Sequence, residues 1–163
     1  IFINEFTAQG GSAEIGIAPS TFGDLEHLYL DNENIFLQNS AFVASSMSIN
    51  VESKWQGFMK GFFSGKGLFL IRCSGQGDLW FNSFGGIMPI DIDGDYVVDT
   101  GHIVAFTDGL DYKITSVGGY KSMFLSGEGL VCRFCGKGRV WIQTRNPSAF
   151  CGWTWPFRPS KNN

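Results

Sequence analysis

Gly65-Lys66-Gly67-Leu68-Phe69-Leu70-Ile71-Arg72-Cys73-Ser74-Gly75-Gln76-Gly77-Asp78-Leu79-Trp80-Phe81 returns later in the chain as Gly127-Glu128-Gly129-Leu130-Val131-Cys132-Arg133-Phe134-Cys135-Gly136-Lys137-Gly138-Arg139-Val140-Trp141-Ile142. Self-similarity at a fixed period, here about 61 residues, marks one supersecondary unit that has been copied. Both copies hold a Gly-x-Gly within an apolar run, and Trp80 is matched by Trp141, a frame that preserves backbone shape and core. Upstream, Ile35-Phe36-Leu37-Gln38-Asn39-Ser40-Ala41-Phe42-Val43-Ala44 aligns with Tyr96-Val97-Val98-Asp99-Thr100-Gly101-His102-Ile103-Val104-Ala105. Each copy therefore reads as strand, tight turn, strand, a connection, and a second strand pair around Gly-x-Gly. Phe2 to Gly10 resembles the region ending at Gly77, so the chain reads as the tail of a first copy followed by two complete ones. The expected divisions are a remnant of a first β module over 1–28, a second module over 29–90, a third over 91–146 and an aromatic, Pro-rich tail over 147–163, all in one compact unit. A start at Ile1 rather than Met is the mark of a processed or partial product.

Composition agrees with an all-β chain. The 163 residues suit one domain with a sizeable core. Hydrophobic residues make up 44% and charged residues 17%, a globular rather than a disordered balance. The 22 Gly and 16 Phe fit many short strands with glycine at turns and bulges. A net charge of −3 supplies no basic face to displace counterions, so no nucleic-acid partner is expected. No stretch approaches the roughly 18 to 20 apolar residues that span a bilayer as a helix. Alternation is clearest at Arg139 to Gln143 and at Asp78 to Phe81. Turns are expected at Asp93-Gly94, Gly118-Gly119, Gly85-Gly86 and Asn146-Pro147.

The chemical motifs lose force one by one. The four Gly-x-Gly pairs lack the third glycine and the strand-turn-helix setting of a dinucleotide fingerprint, so they are read as bulge or positive-φ positions. Gly61 to Lys66 is one residue short of a phosphate loop, with no Ser or Thr after the Lys. Asp91-Ile92-Asp93-Gly94-Asp95 has the flavour of a calcium loop, but its Gly and its twelfth residue, His102, do not fit an EF-hand. A hairpin turn with solvated carboxylates is the reading there. Cys132 and Cys135 have Cys-x-x-Cys spacing without a second ligand pair, and positions three apart on a strand face opposite ways. Buried free thiols are expected, with Cys73 at the position equivalent to Cys135. His27 and His102 are too few for a metal-binding barrel. His102, beside Asp99 in a tight turn, has no nucleophile elbow with it and is read as a turn histidine with a local hydrogen bond. No catalytic residue, cofactor or metal ligand is expected, and the protein is not read as an enzyme.

Two aromatic segments remain. Trp55, Phe58, Met59, Phe62 and Phe63 recur with helical period and suggest a short amphipathic helix, although Gly57 and Gly61 oppose it. Trp153, Trp155 and Phe157 lie in a Pro-rich tail that cannot add a regular central strand. These eight residues are the candidate partner-contact surface, because Trp and Phe dominate interface energetics and suit the membrane-water boundary. Few basic residues lie near them, which favours a protein partner over anionic lipid.

Val97-Val98-Asp99-Thr100-Gly101-His102-Ile103-Val104-Ala105-Phe106, Phe124 to Leu130 and Gly136 to Arg145 resemble the altered inheritance of mitochondria protein 24 family, and the likeness runs in order over about residues 1–146. Thr100 and Lys137 stand where that family commonly has Pro. The resemblance implies a fold like the tryptophan RNA-binding attenuation protein: a repeat-built β-sandwich related to the double-stranded β-helix, with at most one or two short helices. It implies no catalytic set. It points to a structural or assembly protein at an organelle membrane, or a peripheral subunit of a large membrane complex, with protein subunits or further copies of itself as partners. The implied location is intracellular, organellar and peripheral to a membrane, with the mitochondrion favoured over plastid or bacterial cytoplasm. A soluble small-ligand-binding module is the first alternative, and RNA binding by fold analogy the second.

Overall fold

A computed structural model describes residues 3–54, 70–116 and 130–159. The protein is all-β. Among the described residues its strands are β1 (Leu25–Gln38), β2 (Phe42–Ser45), β3 (Ile49–Lys54), β4 (Leu70–Asn82), β5 (Ile87–Asp99), β6 (Ile103–Thr107), β7 (Leu110–Ser116) and β8 (Leu130–Gln143), and the helix α1 (Pro147–Thr154) follows them. They form one sheet in the order β2-β4-β1-β6-β8-β5, with β3 also on β4 and β7 also on β8. Residues 3–22 hold no strand or helix.

The repeat seen in the sequence is a repeat of pairing. β1 runs antiparallel along β4, as β5 does along β8. On the other side of β4, β3 covers Leu70 to Gly75 and β2 covers Leu79 to Phe81. β7 and β6 divide β8 in the same way. Even the irregularities coincide, since Ala44 pairs with Trp80 after a register shift and Ala105 pairs with Trp141 after another.

The Gly-x-Gly sits where each long strand changes partner, and sterics explain why. Gly75 and Gly136 both have φ +119°, a region that L side chains rarely occupy. A Cβ on Gly75 would lie 2.5 Å from the carbonyl oxygen of Ser48, and one on Gly136 would lie 2.9 Å from that of Gly109. The tight turns leading into β3 and β7 press onto the long strand at these points.

The core forms two contiguous clusters. Leu30, Ile35, Leu37, Leu79 and Phe81 build the first, together with Val104, Ala105 and Trp141 from the second set of strands. Ile103, Phe106, Phe134 and Val140 build the second, together with Leu70 from the first set. Each cluster borrows side chains from the other set. Trp141 meets Phe81 edge-on at 5.8 Å between centroids, a preferred aromatic geometry.

Four expectations are corrected. Asp93-Gly94 is no hairpin turn: it lies within β5, where Gly94 pairs with Gly136 at φ +117°, so the strand bends without reversing. Asn146-Pro147 starts a helix, because Asn146 caps it and Pro147 fills its first turn. Cys73 corresponds to Phe134, not Cys135, once Gly75 is matched to Gly136, and both are fully buried. Cys73 and Cys132 are buried free thiols, but Cys135 and Cys151 are exposed. Burial pushes the Cys73 and Cys132 thiols up to about 12.

Candidate interaction surface

A run of exposed aromatic side chains, Phe150, Trp153, Trp155 and Phe157, follows β8. Asn146 opens α1 by accepting hydrogen bonds from the backbone N–H of Ser148 at 2.9 Å and of Ala149 at 3.3 Å. Phe150 of the helix stands edge-on to Phe84, in the connection between β4 and β5, 5.4 Å between centroids. A 3-10 turn, Trp155–Phe157, extends it.

Phe84 is held from beneath by a buried polar relay. Gln143 accepts from the Phe84 N–H at 2.8 Å, and its amide nitrogen donates to the Gly101 carbonyl at 2.8 Å. His102 Nδ1 lies 2.7 Å from the Gln143 carbonyl oxygen, to which it donates. This bond is long-range, whereas the sequence suggested a local one. Asp99 accepts from the Gly101 N–H at 2.7 Å, while the His102 ring turns to the Gln143 carbonyl. Gly101 also lies where a Cβ would strike the Asn146 amide. The turn around Gly101 thus seats the start of α1.

Beyond Phe150 the aromatic groups face outward. Trp153, Trp155 and Phe157 are 67%, 64% and 74% exposed. Trp153 lies 5.7 Å from Phe157 and 6.1 Å from Phe150, and Arg158 stacks 3.5 Å over Trp155, so the rings order one another. Of the eight residues singled out in the sequence, these three are brought together. Trp55, Phe58, Met59, Phe62 and Phe63 lie outside the described residues. Sequence reading missed Phe150 and Phe84, although Asn-Pro before an apolar residue was an available helix-start signal.

A second feature is an open groove of about 560 Å³ between β1, β5 and β8, floored by Leu30, Ile35, Ile92 and Trp141. Arg139 on its rim is already engaged, donating to Asp91 at 2.6 and 3.0 Å. That hydrogen-bonded guanidinium holds the Asp91 carboxyl below the usual carboxylate range. Lys137 stands 3.7 Å from Asp93. Among the described residues no group of three or more His, Cys, Asp or Glu is placed to hold a metal, and no helix is long and apolar enough to cross a membrane.

Comparison with known proteins fits this repeat-built sheet to one family. The profile described as mitochondrial biogenesis AIM24 matches residues 1–145. The chain belongs to the AIM24 family. An uncharacterised protein of Streptococcus pyogenes serotype M6 is 34% identical over 155 residues, covering 94% of this chain and 62% of that protein. A crystal structure of a Streptococcus pyogenes protein superimposes with a TM-score of 0.75 at 33% identity, covering 86% of this chain and 63% of that one. This AIM24-family chain therefore spans under two thirds of the length of either relative. The family is named for mitochondrial biogenesis, while both of these relatives are bacterial.

Proposed function

We propose that this AIM24-family chain is a non-enzymatic structural or assembly protein, acting at a membrane or as a peripheral subunit of a large membrane complex, with Trp153, Trp155 and Phe157 as its contact surface. The observation that carries this reading is the pinned but outward-facing tail. Its base is fixed by Phe150 and Asn146, while its large rings stay in solvent. Burying such rings against a partner is worth roughly 1.5 to 3 kcal/mol each, and rigid aromatic anchors are typical interface hot spots. The two-cluster core with its partner-switching strands suits the family's sandwich related to the double-stranded β-helix, which we adopt as the finer description of the fold. An organellar location, the mitochondrion first, belongs to the same proposal.

The test is the native mass of the endogenous protein after mild-detergent extraction, compared with a W153S/W155S/F157S variant whose circular dichroism and urea midpoint match the parent. Co-migration of the parent with a membrane complex, and release of the variant, is the expected result. Retained association of the folded variant overturns the contact surface, and a small particle free of membrane overturns the structural-subunit reading.

A second reading, a small-ligand module, is favoured by the groove over Trp141. Because Arg139 and Lys137 already face carboxylates, the reading calls for an apolar, uncharged ligand. Quenching of Trp141 fluorescence by such a ligand, lost on Ile35→Glu, is its signature.

A further inference from the structure

Charge is unevenly shared along the chain. Residues 144–163 hold Arg145, Arg158 and Lys161 and no Asp or Glu, so the net −3 divides into −6 over residues 1–143 and +3 over 144–163. The structure gathers two of these cations onto the aromatic tail. Arg158 lies 3.5 Å over the face of Trp155, and Arg145 lines an open cleft of about 400 Å³ with Phe84, Asn146, Ala149, Phe150 and Trp153.

These two guanidinium groups differ from others of the chain in what faces them. Arg139 is held by Asp91, Arg72 by Glu52 and Lys137 by Asp93. Among the described residues no carboxylate stands within 4 Å of Arg145 or Arg158. Two acids near the start of the helix, Asp24 and Asp99, are occupied in accepting from the backbone N–H groups of Ile87 and Gly101. The tail therefore offers aromatic rings and two uncompensated cations side by side.

Shape separates lipid from protein as the partner. Every residue from Pro147 to Phe157 is exposed apart from the half-buried Thr154, and a Cβ placed on Gly152 would meet nothing within 4 Å. The rings thus stand on a projection. Such a knob needs a deep matching socket in a protein, but it sinks into a lipid interface without one. Trp favours the headgroup level because its ring is apolar and its N–H polar. Arg can hold its charge at phosphate while its stem follows the rings down. The negative charge of residues 1–143 is repelled by an anionic surface, which leaves the tail as the part that approaches it. Sparse basic residues favoured a protein partner in the sequence; gathered by the fold, they favour lipid.

We infer that the tail is a bilayer-interface anchor: Trp153, Trp155 and Phe157 sink to the headgroup level of a membrane bearing anionic phospholipid, with Arg145 and Arg158 on its phosphates. This rests on the reading of those three rings as the contact surface and gives that surface its partner. It belongs to this chain's tail, since the family match ends at residue 145, before α1 begins.

The experiment is sedimentation of the chain with vesicles of phosphatidylcholine mixed with phosphatidylglycerol, against phosphatidylcholine alone. The chain is expected to pellet with the anionic vesicles, and less so as salt rises. R145Q/R158Q, at two exposed positions, is expected to weaken partition about 25-fold, from about fivefold for each arginine. W153S/W155S/F157S is expected to weaken it about 100-fold or more. K113Q/R133Q, a matched charge change on exposed sheet residues, is expected to leave it within about twofold of the parent, because charges off the contact surface lie beyond the screening length. Equal binding to both vesicle types overturns the inference, as does a folded chain that binds neither. Parental affinity in R145Q/R158Q, or an equal loss in K113Q/R133Q, overturns it too. The contact surface itself fails separately: if W153S/W155S/F157S leaves the membrane complex in detergent extracts while the parent binds no vesicles, the surface stands, lipid is overturned, and an acidic protein is the partner.

Discussion

Phe150 stands edge-on to Phe84, in the connection between β4 and β5, at 61° between planes. Everything outward of it in α1 is exposed apart from Thr154, which is half-buried, so this contact sets the tail's position.

Phe150→Ala is therefore expected to undock the tail while leaving the strands intact. An aromatic pair of this geometry contributes about 1 kcal/mol beyond its buried area. The loss is read as a small fall in urea midpoint with a red shift in tryptophan emission. An unshifted emission spectrum would show that something else holds the helix.

Gln143→Leu has a larger expected effect. It removes the acceptor for the Phe84 N–H and the donor to the Gly101 carbonyl, both served by a side chain that is 5% exposed. Leaving buried polar groups unpaired costs about 1–3 kcal/mol each. Equilibrium urea unfolding should show a loss of about 2–5 kcal/mol on that basis, and a loss comparable to Phe150→Ala would place the relay outside the folded state's essential contacts.

Gly75→Ala and Gly94→Ala separate two costs. Both positions have positive φ, at +119° and +117°, yet a Cβ on Gly94 has nothing within 4 Å while one on Gly75 meets the Ser48 carbonyl. Gly94→Ala carries the backbone strain alone, about 1–2 kcal/mol. Gly75→Ala adds displacement of the turn into β3 and is expected to cost at least twice as much. Equal unfolding free energies for the two variants would contradict the close-approach explanation.

Alkaline pH should weaken the fold through its thiols. Cys73 and Cys132 are raised from 9.0 to about 12 by burial, so the folded chain holds these protons more tightly than the unfolded one. Their contribution is fully present below about pH 9 and declines as pH rises toward 12, by about 1.4 kcal/mol per pH unit for each thiol. Burial raises the Tyr112 hydroxyl as well, which adds a loss of the same sign. Urea midpoints followed from pH 8 upward should fall less steeply in C73A/C132A, and parallel curves would refute the assignment. In the folded protein, alkylation at neutral pH should label Cys135 and Cys151 only.

Much of this was legible from residues because a repeat constrains two places at once. Matching Ile35–Ala44 to Tyr96–Ala105 brought together residues that proved structurally equivalent, Ala44 and Ala105 among them, and reading Gly-x-Gly as positive-φ positions anticipated the shared φ of Gly75 and Gly136. The same rule failed where a short signal has two meanings. Asp-Gly serves a hairpin or a bent strand, and only the pairing of Gly94 with Gly136 decides between them. Asn-Pro serves a turn or a helix start, and the low helix propensity of Gly152 and Trp153 concealed the second. The seating of the tail was illegible because Phe84 and Phe150 are far apart in sequence and share no periodicity. The edges of the sheet were illegible for a related reason: sequence similarity equates Phe36 with Val97, but only pairing reveals that Phe36 has strands on both sides whereas Val97, among the described residues, pairs with β8 alone.

The seam between β1 and β6 holds three residue pairs, against thirteen between β5 and β8. Mechanically, that makes the protein two stiff plates on a narrow hinge strip. What keeps the two sets together under load is therefore mainly shared interior, with Val104, Ala105 and Trp141 seated in the first cluster and Leu70 in the second. Pulling them apart opens both interiors at once, so a molecule that serves as a physical linker resists as one body instead of parting at the seam.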